Sequence, residues 1–345
     1  MKNFKYFNKN TLNQHLVLRD GETKFGEKIK YPKENTELSN FLSETDANFV
    51  VFGIKEFVGI KANFGKIGTK HAFDVFLSSF LNIQNSKYLK ASKIAVIGCL
   101  DYSCFDEELT QLNPDNKTDL NRLYEIVSEI DKDVTYLNTL IHRAGKKPII
   151  IGGGHNNAYG NIKGLALAKG KAVNVVNFDA HTDFRALEGR HSGNGFSYAF
   201  SEGFLNEYNV FGAHENYVNK YMMHQFRDHF EKLKMYTFEE IKVRFEKDFI
   251  TTINVINKQI KTTFYGIEID LDAIENTASS AMSPSGFSVT ETRQFLNFMA
   301  NCNNACYLHI CEGSSSLSNN PENLLGKLIT YLTTDFVKAQ INIIK

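Results

Sequence analysis

The chain has 345 residues, of which 42% are hydrophobic, and it carries 39 Lys plus Arg residues against 39 Asp plus Glu residues. This length and composition predict a globular protein with a large core. The charge balance argues against broad electrostatic binding to nucleic acid or to an anionic membrane, and it favours a small-molecule partner. The cysteines form no CxxC pair, so we expect neither a disulfide framework nor a thiolate zinc site. No stretch reaches the roughly 18 consecutive apolar residues of a membrane-spanning helix, and none forms the apolar segment of a signal peptide. We therefore expect a cytoplasmic protein.

Short apolar runs alternate with longer amphipathic stretches along the chain. The apolar runs predict strands at residues 48–54, 93–98, 148–151, 172–178, 263–269 and 305–310. The amphipathic stretches predict helices at residues 70–81, 120–144, 158–168, 238–245, 289–302 and 321–342. This alternation is typical of an α/β fold with a mainly parallel sheet that helices cover on both faces.

No low-complexity linker or tandem repeat divides the sequence, and prolines are few. We therefore expect a single domain over residues 1–345. Residues 1–45 are polar and are expected to form an N-terminal extension that wraps the edge of the sheet.

Acidic and histidine side chains follow three of the predicted strands. They are His155 after the glycines 152–154, the group Asp179, His181 and Asp183, and the pair Asp270 and Asp272. In a strand, Asp179 and His181 share a face, and the turn that follows brings Asp183 back toward them. Each motif alone also fits a capping carboxylate, a solvated imidazole or, for the glycines, a phosphate-binding loop.

Together the three motifs predict a metal site. The carboxyl ends of parallel strands lie at one edge of an open α/β sheet, so the side chains are expected to converge there. Four carboxylates in one place repel one another and raise each other's pKa values, and a bound cation is the simplest explanation for such a cluster. Carboxylates with one imidazole per ion suit manganese or another hard-to-borderline divalent metal.

The three motifs occur in the order found in the ureohydrolase family, which includes arginase, agmatinase and formimidoylglutamase, and the chain resembles that family from about residue 48 to the C-terminus. The segment 53–63, followed by Gly65 and Gly68, resembles the family's first strand and glycine-rich loop. The resemblance implies the three-layer α/β/α arginase-like fold and two manganese ions. It implies that one ion is bound by His155, Asp179, Asp183 and Asp270 and the other by Asp179, His181, Asp270 and Asp272, with Asp179 and Asp270 bridging.

The resemblance also implies hydrolysis of a C–N bond. Two ions roughly 3.5–4 Å apart share a water and lower its pKa toward about 7, so that it attacks a guanidinium or formimino carbon. Gly154 precedes His155 where arginase-like and agmatinase-like sequences usually have Asp, and Glu275-Asn276 stands where they usually have Asp-Pro. A glycine at position 154 resembles the formimidoylglutamase branch of the family. The expected reaction therefore converts N-formimino-L-glutamate to L-glutamate and formamide in histidine breakdown.

The loop that follows the second motif supplies candidate substrate-binding residues, which are Arg185, Arg190, Ser192 and Asn194. The fork-shaped guanidinium of Arg185 matches a carboxylate of an acidic substrate, and pairing with Glu188 is the alternative. The stretch 192–194 resembles the family's substrate-contacting segment.

Candidate catalytic residues are Asp183, His191 and Glu312. The histidine proposed to shuttle protons in arginase aligns with Phe196, so His191 is the expected replacement, and a solvated loop imidazole is the alternative. Glu312 matches the family glutamate that pairs with the guanidinium or amidine group of the substrate and is therefore also a substrate-binding candidate. The Asn-Pro that usually follows that glutamate is absent, and capping of the next turn is the alternative role.

Two other functions remain open at this stage. One is a hydrolase of arginine, agmatine or a guanidino acid that releases urea, and the other is a catalytically silent relative that uses the metal centre structurally. Arg185 separates the first from the leading hypothesis, because it repels a cationic agmatine tail. The family resemblance also implies a homo-oligomer, although no sequence feature sets its symmetry.

Overall fold

The computed structural model describes residues 1–317 and 324–344 and contains one large sheet. Its strands are β1 (Phe4–Tyr6), β2 (Phe49–Lys55), β3 (Ile94–Asp101), β4 (Lys147–Ile151), β5 (Val173–Phe178), β6 (Leu205–Ala213), β7 (Leu233–Thr237), β8 (Tyr265–Asp270) and β9 (Ala305–Cys311). Within the described residues the sheet has 9 strands in the order β1-β3-β2-β4-β9-β8-β5-β6-β7. Only β1 runs antiparallel to its neighbour, and it pairs with β3 at one edge of the sheet.

Helices connect most of the strands. They are α1 (Lys9–His15), α2 (Leu38–Glu44), α3 (Val58–Ala62), α4 (Ala72–Phe80), α5 (Asp106–Gln111), α6 (Lys117–Arg143), α7 (Ala158–Lys169), α8 (Gly195–Ser201), α9 (Lys220–Asp228), α10 (Phe249–Ile260), α11 (Val289–Ala300) and α12 (Leu324–Ile344). No helix in the described ranges combines the length and the apolar character needed to cross a bilayer.

The central strands are buried on both faces, which gives the molecule three layers. In β2, Phe49 and Val51 pack in one apolar cluster with α4, α11 and α12, whereas Val50 and Phe52 pack in a second cluster with α6 and α7. Successive side chains of a strand point to opposite faces, so a continuous apolar run predicts this double burial. The α/β fold with a mainly parallel sheet is therefore confirmed.

Local sequence signals explain where the long helices begin. The Asn116 side chain accepts hydrogen bonds from the backbone N–H groups of Thr118 and Asp119 at the start of α6. At the start of α11, Ser288 and Glu291 form a reciprocal capping box. Such caps satisfy backbone donors that have no partner inside the helix.

The element prediction was incomplete, because it lacked β1, β6 and β7, and one of its helices was wrong. The prediction missed β6 because Asn206, Glu207 and Asn209 interrupt its apolar pattern, although Asn209 is fully buried in the sheet. The helix predicted at 238–245 was wrong, since the segment makes only one π-helical turn over Glu239–Val243 before the chain turns toward α10. The first residues of the helix predicted at 321–342 lie outside the described part of the chain.

Candidate metal centre and substrate cavity

Four adjacent strands, β4, β9, β8 and β5, end at the same edge of the sheet. The ends of these strands and the segments that follow them carry all the residues predicted to bind metal, together with Glu312. The sheet order, which places strands distant in sequence side by side, thus brings the three motifs together. This is the arrangement expected when ligands collect beyond the carboxyl ends of parallel strands.

The turn after β4 presents His155 to this edge. Gly152 and Gly153 have φ angles of 89° and 72°, a region that side chains disfavour. A Cβ atom on Gly153 would lie 2.4 Å from Asn157 Nδ2 and 2.8 Å from Glu56 Oε1. The buried Glu56 carboxylate accepts hydrogen bonds from Gly154 N at 2.8 Å and from Asn157 Nδ2 at 2.7 Å, so it fixes the path of the turn.

The segment after β5 places Asp179, His181 and Asp183 beside this turn. The backbone N–H of His181 donates to Asp179 Oδ1 at 2.7 Å, and Asn177 Nδ2 donates to Asp179 Oδ2 at 2.8 Å. Asp183 has a φ of 44°, and this left-handed conformation turns its side chain back toward the strand end.

The end of β8 places Asp270 and Asp272 opposite. Asp272 N donates to Asp270 Oδ1 at 2.8 Å, and Ala281 N donates to Asp272 Oδ1 at 2.9 Å. Both carboxylates are buried. Asp270 ends β8 and Asp272 lies in the 3-10 turn Leu271–Ala273 that follows, so this turn, and not the alternation of a strand, directs both carboxylates to the cavity.

One imidazole nitrogen faces three carboxylates at the centre of the cluster. His155 Nδ1 lies 2.8 Å from Asp183 Oδ2, 3.1 Å from Asp270 Oδ2 and 3.2 Å from Asp179 Oδ2. The ligand atoms of the four residues all lie within 4.8 Å of one another. Nevertheless, neither ring nitrogen of His155 makes a hydrogen bond of acceptable geometry with any described residue. A buried nitrogen without a partner, aimed between carboxylate oxygens, fits a divalent cation at this point.

The electrostatics of the cluster agree with that fit. Burial and the neighbouring Asp272 and Asp179 carboxylates raise the pKa of Asp270 well above its usual range. Burial and Asp179 likewise raise the pKa of Asp183. A bound cation removes this repulsion, because it favours the ionised form of each carboxyl group.

His181 belongs to a second, looser group. Its Nδ1 lies 3.6 Å from Asp179 Oδ1 and 3.9 Å from Asp272 Oδ2. The ring stacks on Tyr217 with centroids 4.9 Å apart. His181 therefore lies next to the first group and faces Asp179, which belongs to that group.

A cavity of about 290 Å³ opens onto the cluster. Its lining includes His181, Asp183, Asp270, Asp272, Arg185, Ser192 and Glu312. Of the predicted substrate-binding residues, Arg185, Ser192 and Glu312 thus line the cavity beside the metal candidates, and Arg190 and Asn194 do not.

Glu312 stands at the wall of this cavity in a fixed orientation. Its φ is 62°, and its Oε1 accepts a hydrogen bond from His155 N at 2.7 Å. Its Oε2 has no hydrogen-bond partner among the described residues. Burial and the nearby Asp272 raise the pKa of Glu312 to about 8. One oxygen is therefore held by the protein and the other is free for a ligand.

Arg185 lines the same cavity. Its Nη1 donates to Asn63 Oδ1 at 3.1 Å, and its Nη2 lies 3.1 Å from Glu188 Oε1. Asn63 Nδ2 in turn donates to Ser192 Oγ at 3.2 Å. The side chain of Arg185 is 44% exposed, so it remains open to a ligand while also forming the pair with Glu188 considered from the sequence.

The structure places Arg190 differently from the prediction. The side chain is buried outside the cavity lining, and its guanidinium pairs with Asp131 of α6, with Nε–Oδ2 at 2.8 Å. It also donates to Asn156 O at 2.9 Å and to Asn194 Oδ1 at 2.5 Å. All of its donor groups are used inside the protein, so Arg190 supports the loop and does not face a substrate.

Asn194 and His191 also differ from their predicted roles. Asn194 is fully buried, and its amide donates to Gly189 O at 2.7 Å. His191 is 1% exposed, accepts from Gly193 N through Nδ1 at 3.1 Å, and has Nε2 at 3.2 Å from Glu188 Oε1. Burial and the nearby Arg185 lower the pKa of His191 to about 4. A neutral imidazole with both nitrogens engaged shapes the loop and is not placed to shuttle protons into the cavity.

The sequence reading missed several residues that line the cavity, which are Asn63, Tyr217, Asn219, Met222, Ser280 and Ala281. Asn63 lies in the segment 53–63 that resembled the family's glycine-rich loop, and this was the one available signal for it. Met222 lies in the first turn of α9, and the others come from loops after β6 and β8, whose direction no local pattern encodes. Phe196, at the position of the family's histidine, instead packs edge-on against the His155 ring with centroids 5.0 Å apart.

The sheet with helices on both faces and the acidic cluster at its strand ends define an α/β protein with a candidate carboxylate-rich metal centre. Residues 61–333 match the family model described as the arginase family. The chain therefore belongs to the arginase family.

Curated relatives from bacteria match parts of the chain. The formimidoylglutamase of Macrococcus caseolyticus is 27% identical over 235 residues, which cover 67% of this chain and 66% of that protein. The formimidoylglutamase of Streptococcus gordonii is 26% identical over 183 residues, which cover 51% of this chain and 49% of that protein. The matches thus span about half to two thirds of these relatives.

Solved structures share the fold over nearly the whole chain. The formimidoylglutamase of Bacillus subtilis superposes with a TM-score of 0.74 at 17% identity and covers 95% of both chains. The formiminoglutamase of Trypanosoma cruzi with Mn²⁺ has a TM-score of 0.71 at 17% identity and covers 92% of this chain and 98% of its own.

Proposed function

We propose that this protein is a binuclear manganese hydrolase that converts N-formimino-L-glutamate and water to L-glutamate and formamide. The observation that carries the proposal is the composition of one cavity. Within about 290 Å³ it combines the acidic metal cluster, the exposed guanidinium of Arg185 and the Glu312 carboxylate with its partnerless oxygen. The metal cluster matches the hydrolysable amidine carbon of such a substrate, Glu312 matches the amidine N–H groups, and Arg185 matches a free carboxylate.

In this proposal one ion is held by His155, Asp179, Asp183 and Asp270, and the other by Asp179, His181, Asp270 and Asp272. When bound, such a pair of ions lowers the pKa of a water, which can then attack an electrophilic carbon near neutral pH. The chain contributes the fixed geometry of the ligands, since Asp179 and Asp270 are each held by a backbone N–H. Asp183 lies both in the cluster and in the cavity lining, where it can accept a proton from the attacking water.

Glu312 is positioned to bind the formimino group. Its Oε1 is tied to His155 N, so its free Oε2 can accept an N–H of a cationic amidine in a charge-assisted hydrogen bond. During the reaction, water oxygen adds to the formimino carbon, the bond from that carbon to the glutamate nitrogen breaks, and that nitrogen takes up a proton. Holding the amidine plane fixed favours this attack by orientation alone.

Arg185 is positioned to bind a substrate carboxylate. Its guanidinium is a planar donor that pairs with carboxylates through two parallel hydrogen bonds. Asn63 and Ser192 are linked to each other by a hydrogen bond, and Asn63 accepts from Arg185, which restricts where that guanidinium can point. A positive charge at this wall favours an acidic substrate over agmatine.

The formimidoylglutamases among the curated relatives and solved structures support the same substrate, and the Trypanosoma cruzi structure with Mn²⁺ supports the metal. The proposed reaction belongs to histidine breakdown. The cysteines are all free, which agrees with a cytoplasmic location.

The test is direct detection of products by proton NMR. Manganese-loaded protein is incubated separately with formimidoylglutamate, arginine, agmatine and guanidinobutyrate, and Asp179→Asn protein prepared in the same way is the control for contaminating enzymes. Formamide and glutamate from the first substrate alone are the expected result. Urea from a guanidino substrate would reassign the activity, and no product from any of the four would favour the catalytically silent alternative.

A further inference from the structure

A buried acidic side chain lies behind the metal cluster, on the side of His155 that faces away from the three carboxylates. Glu268 in β8 is fully buried and stands two residues before Asp270, so both side chains lie on the same face of the strand. Glu268 Oε2 is 3.6 Å from His155 Nε2, slightly beyond hydrogen-bond distance. No described residue forms a hydrogen bond to that nitrogen.

Three side chains hold the Glu268 carboxylate in place. The Tyr307 hydroxyl donates to Oε1 at 2.7 Å, and Asn161 Nδ2 lies 3.5 Å from the same oxygen. His309 Nδ1 lies 2.5 Å from Oε2, the oxygen that also faces His155. A buried carboxylate is tolerated only with such partners. Its position is therefore set by the fold.

His309 connects this carboxylate to the turn that carries His155. Its Nε2 lies 3.2 Å from Gly152 O. Nε2 is thus within hydrogen-bond distance of this carbonyl oxygen while Nδ1 contacts Glu268 Oε2, so the ring joins the two groups. His309 is thus the link between β9, β8 and the glycine turn.

A histidine that binds a metal through one ring nitrogen carries its proton on the other, and a carboxylate commonly accepts that proton. His155 Nδ1 faces the cluster, which leaves Nε2 to carry the proton toward Glu268. We propose that Glu268, held by His309, is a positioning residue that fixes the tautomer and orientation of His155 and so strengthens metal binding at the cluster. This inference depends on the proposed metal site and does not depend on the substrate.

The test measures metal binding without substrate. Metal-free wild-type and Glu268→Gln proteins are titrated with Mn²⁺, and free Mn²⁺ is followed by electron paramagnetic resonance. Glutamine keeps the shape and removes the charge, so we expect one of the two binding steps to weaken by about 10- to 100-fold, as is usual when the partner of a ligating histidine is lost. Wild-type affinity in both steps would overturn the proposal.

Tyr307→Phe is the matched control. It removes the hydrogen bond to Oε1 and leaves Oε2, the oxygen that faces His155 and His309. We expect a much smaller loss of Mn²⁺ affinity than in Glu268→Gln. An equal loss in the two variants would assign the effect to packing of the network and would count against the proposed contact.

A second measurement does not depend on any variant folding. Wild-type protein labelled with ¹⁵N-histidine and loaded with diamagnetic Cd²⁺ is examined by NMR for the protonation state of each ring nitrogen. A protonated Nε2 on His155 is expected, and a proton-free Nε2 would overturn the proposal. Because neither experiment uses a substrate, this inference can hold even if N-formimino-L-glutamate is not cleaved, which would contradict only the proposed function.

Discussion

At the scale of single residues, Asp179 is the most connected member of the cluster. Its Oδ2 lies 3.2 Å from His155 Nδ1, and its Oδ1 lies 3.6 Å from His181 Nδ1. It therefore faces the imidazoles of both proposed ion sites. Its own orientation is fixed by Asn177 and by the backbone N–H of His181.

Asp179→Asn is expected to abolish hydrolysis and to reduce the bound manganese below two ions per chain. The amide has nearly the same shape but lacks the negative charge that a bridging ligand supplies. Metal content by atomic emission and product formation by NMR are the measurements. Asp101→Asn, at the end of β3 and outside the cavity lining, is the control. Full activity with two ions in Asp179→Asn would contradict the proposed metal assignment.

Arg185→Ala is expected to spare the metals and to lower kcat/KM for formimidoylglutamate by about 10- to 100-fold. The reason is that a hydrogen bond to a charged group contributes about 1.5–3 kcal/mol. Steady-state kinetics and metal analysis are the measurements. Arg227→Ala removes an arginine that also pairs with a neighbouring acid, Asp228, but lies outside the cavity lining, so its kinetics should match the wild type. Unchanged kinetics in Arg185→Ala would remove Arg185 from the substrate site.

At the scale of structural elements, the loop after β5 is attached to α6 through a buried ion pair. Arg190 Nε and Nη2 bond the two oxygens of Asp131 at 2.8 and 3.2 Å. The guanidinium also lies between the rings of Tyr159 and Tyr198, with its carbon 5.0 Å from each centroid. This arrangement fixes the loop that carries Ser192 into the cavity wall.

Arg190→Met is expected to reduce the free energy of unfolding by about 3–5 kcal/mol, because it leaves the buried Asp131 without a partner. The double variant Arg190→Met, Asp131→Leu should recover part of that loss, since it removes the uncompensated charge as well. Urea unfolding of the metal-free proteins measures both values. A loss below about 1 kcal/mol in the single variant would show that the pair contributes little to stability.

At the scale of the whole molecule, the sheet order decides where the chemistry lies. Strands β4, β9, β8 and β5 are neighbours in space, although β4 ends at Ile151 and β9 begins only at Ala305. Their shared edge collects the cluster, while the two apolar layers keep the sheet rigid beneath it. The same packing buries polar groups outside the cavity lining, and His142 in α6 is one of them.

Burial lowers the pKa of His142 from 6.5 to about 3. Between these values the unfolded chain binds a proton that the folded protein does not, so acidification favours unfolding. From pH 7 to pH 5, the free energy of unfolding should fall by about 2 kcal/mol more in the wild type than in His142→Leu. Urea unfolding of both proteins in a chelator, at each pH, measures the difference. Parallel pH profiles would contradict the proposed burial of a neutral imidazole.

The sequence by itself determined the strand-end motifs and the metal candidates. The acidic and histidine residues follow apolar runs that predict buried strands, and the glycines at 152 and 153 permit backbone angles that other residues disfavour. These are local properties of the backbone, so they can be read from a few consecutive residues. The alternation of apolar and amphipathic runs likewise determined the α/β class.

Only the tertiary structure decided which loop residues face the cavity. Arg185 and Arg190 lie five positions apart in one loop, yet the first is open to the cavity and the second is buried against Asp131, 59 residues away in the sequence. Tyr217, in the loop after β6, stacks on His181 for the same reason, because the neighbours that orient it come from other parts of the fold. A loop has no period of its own, so the direction of its side chains depends on partners that are distant in the sequence.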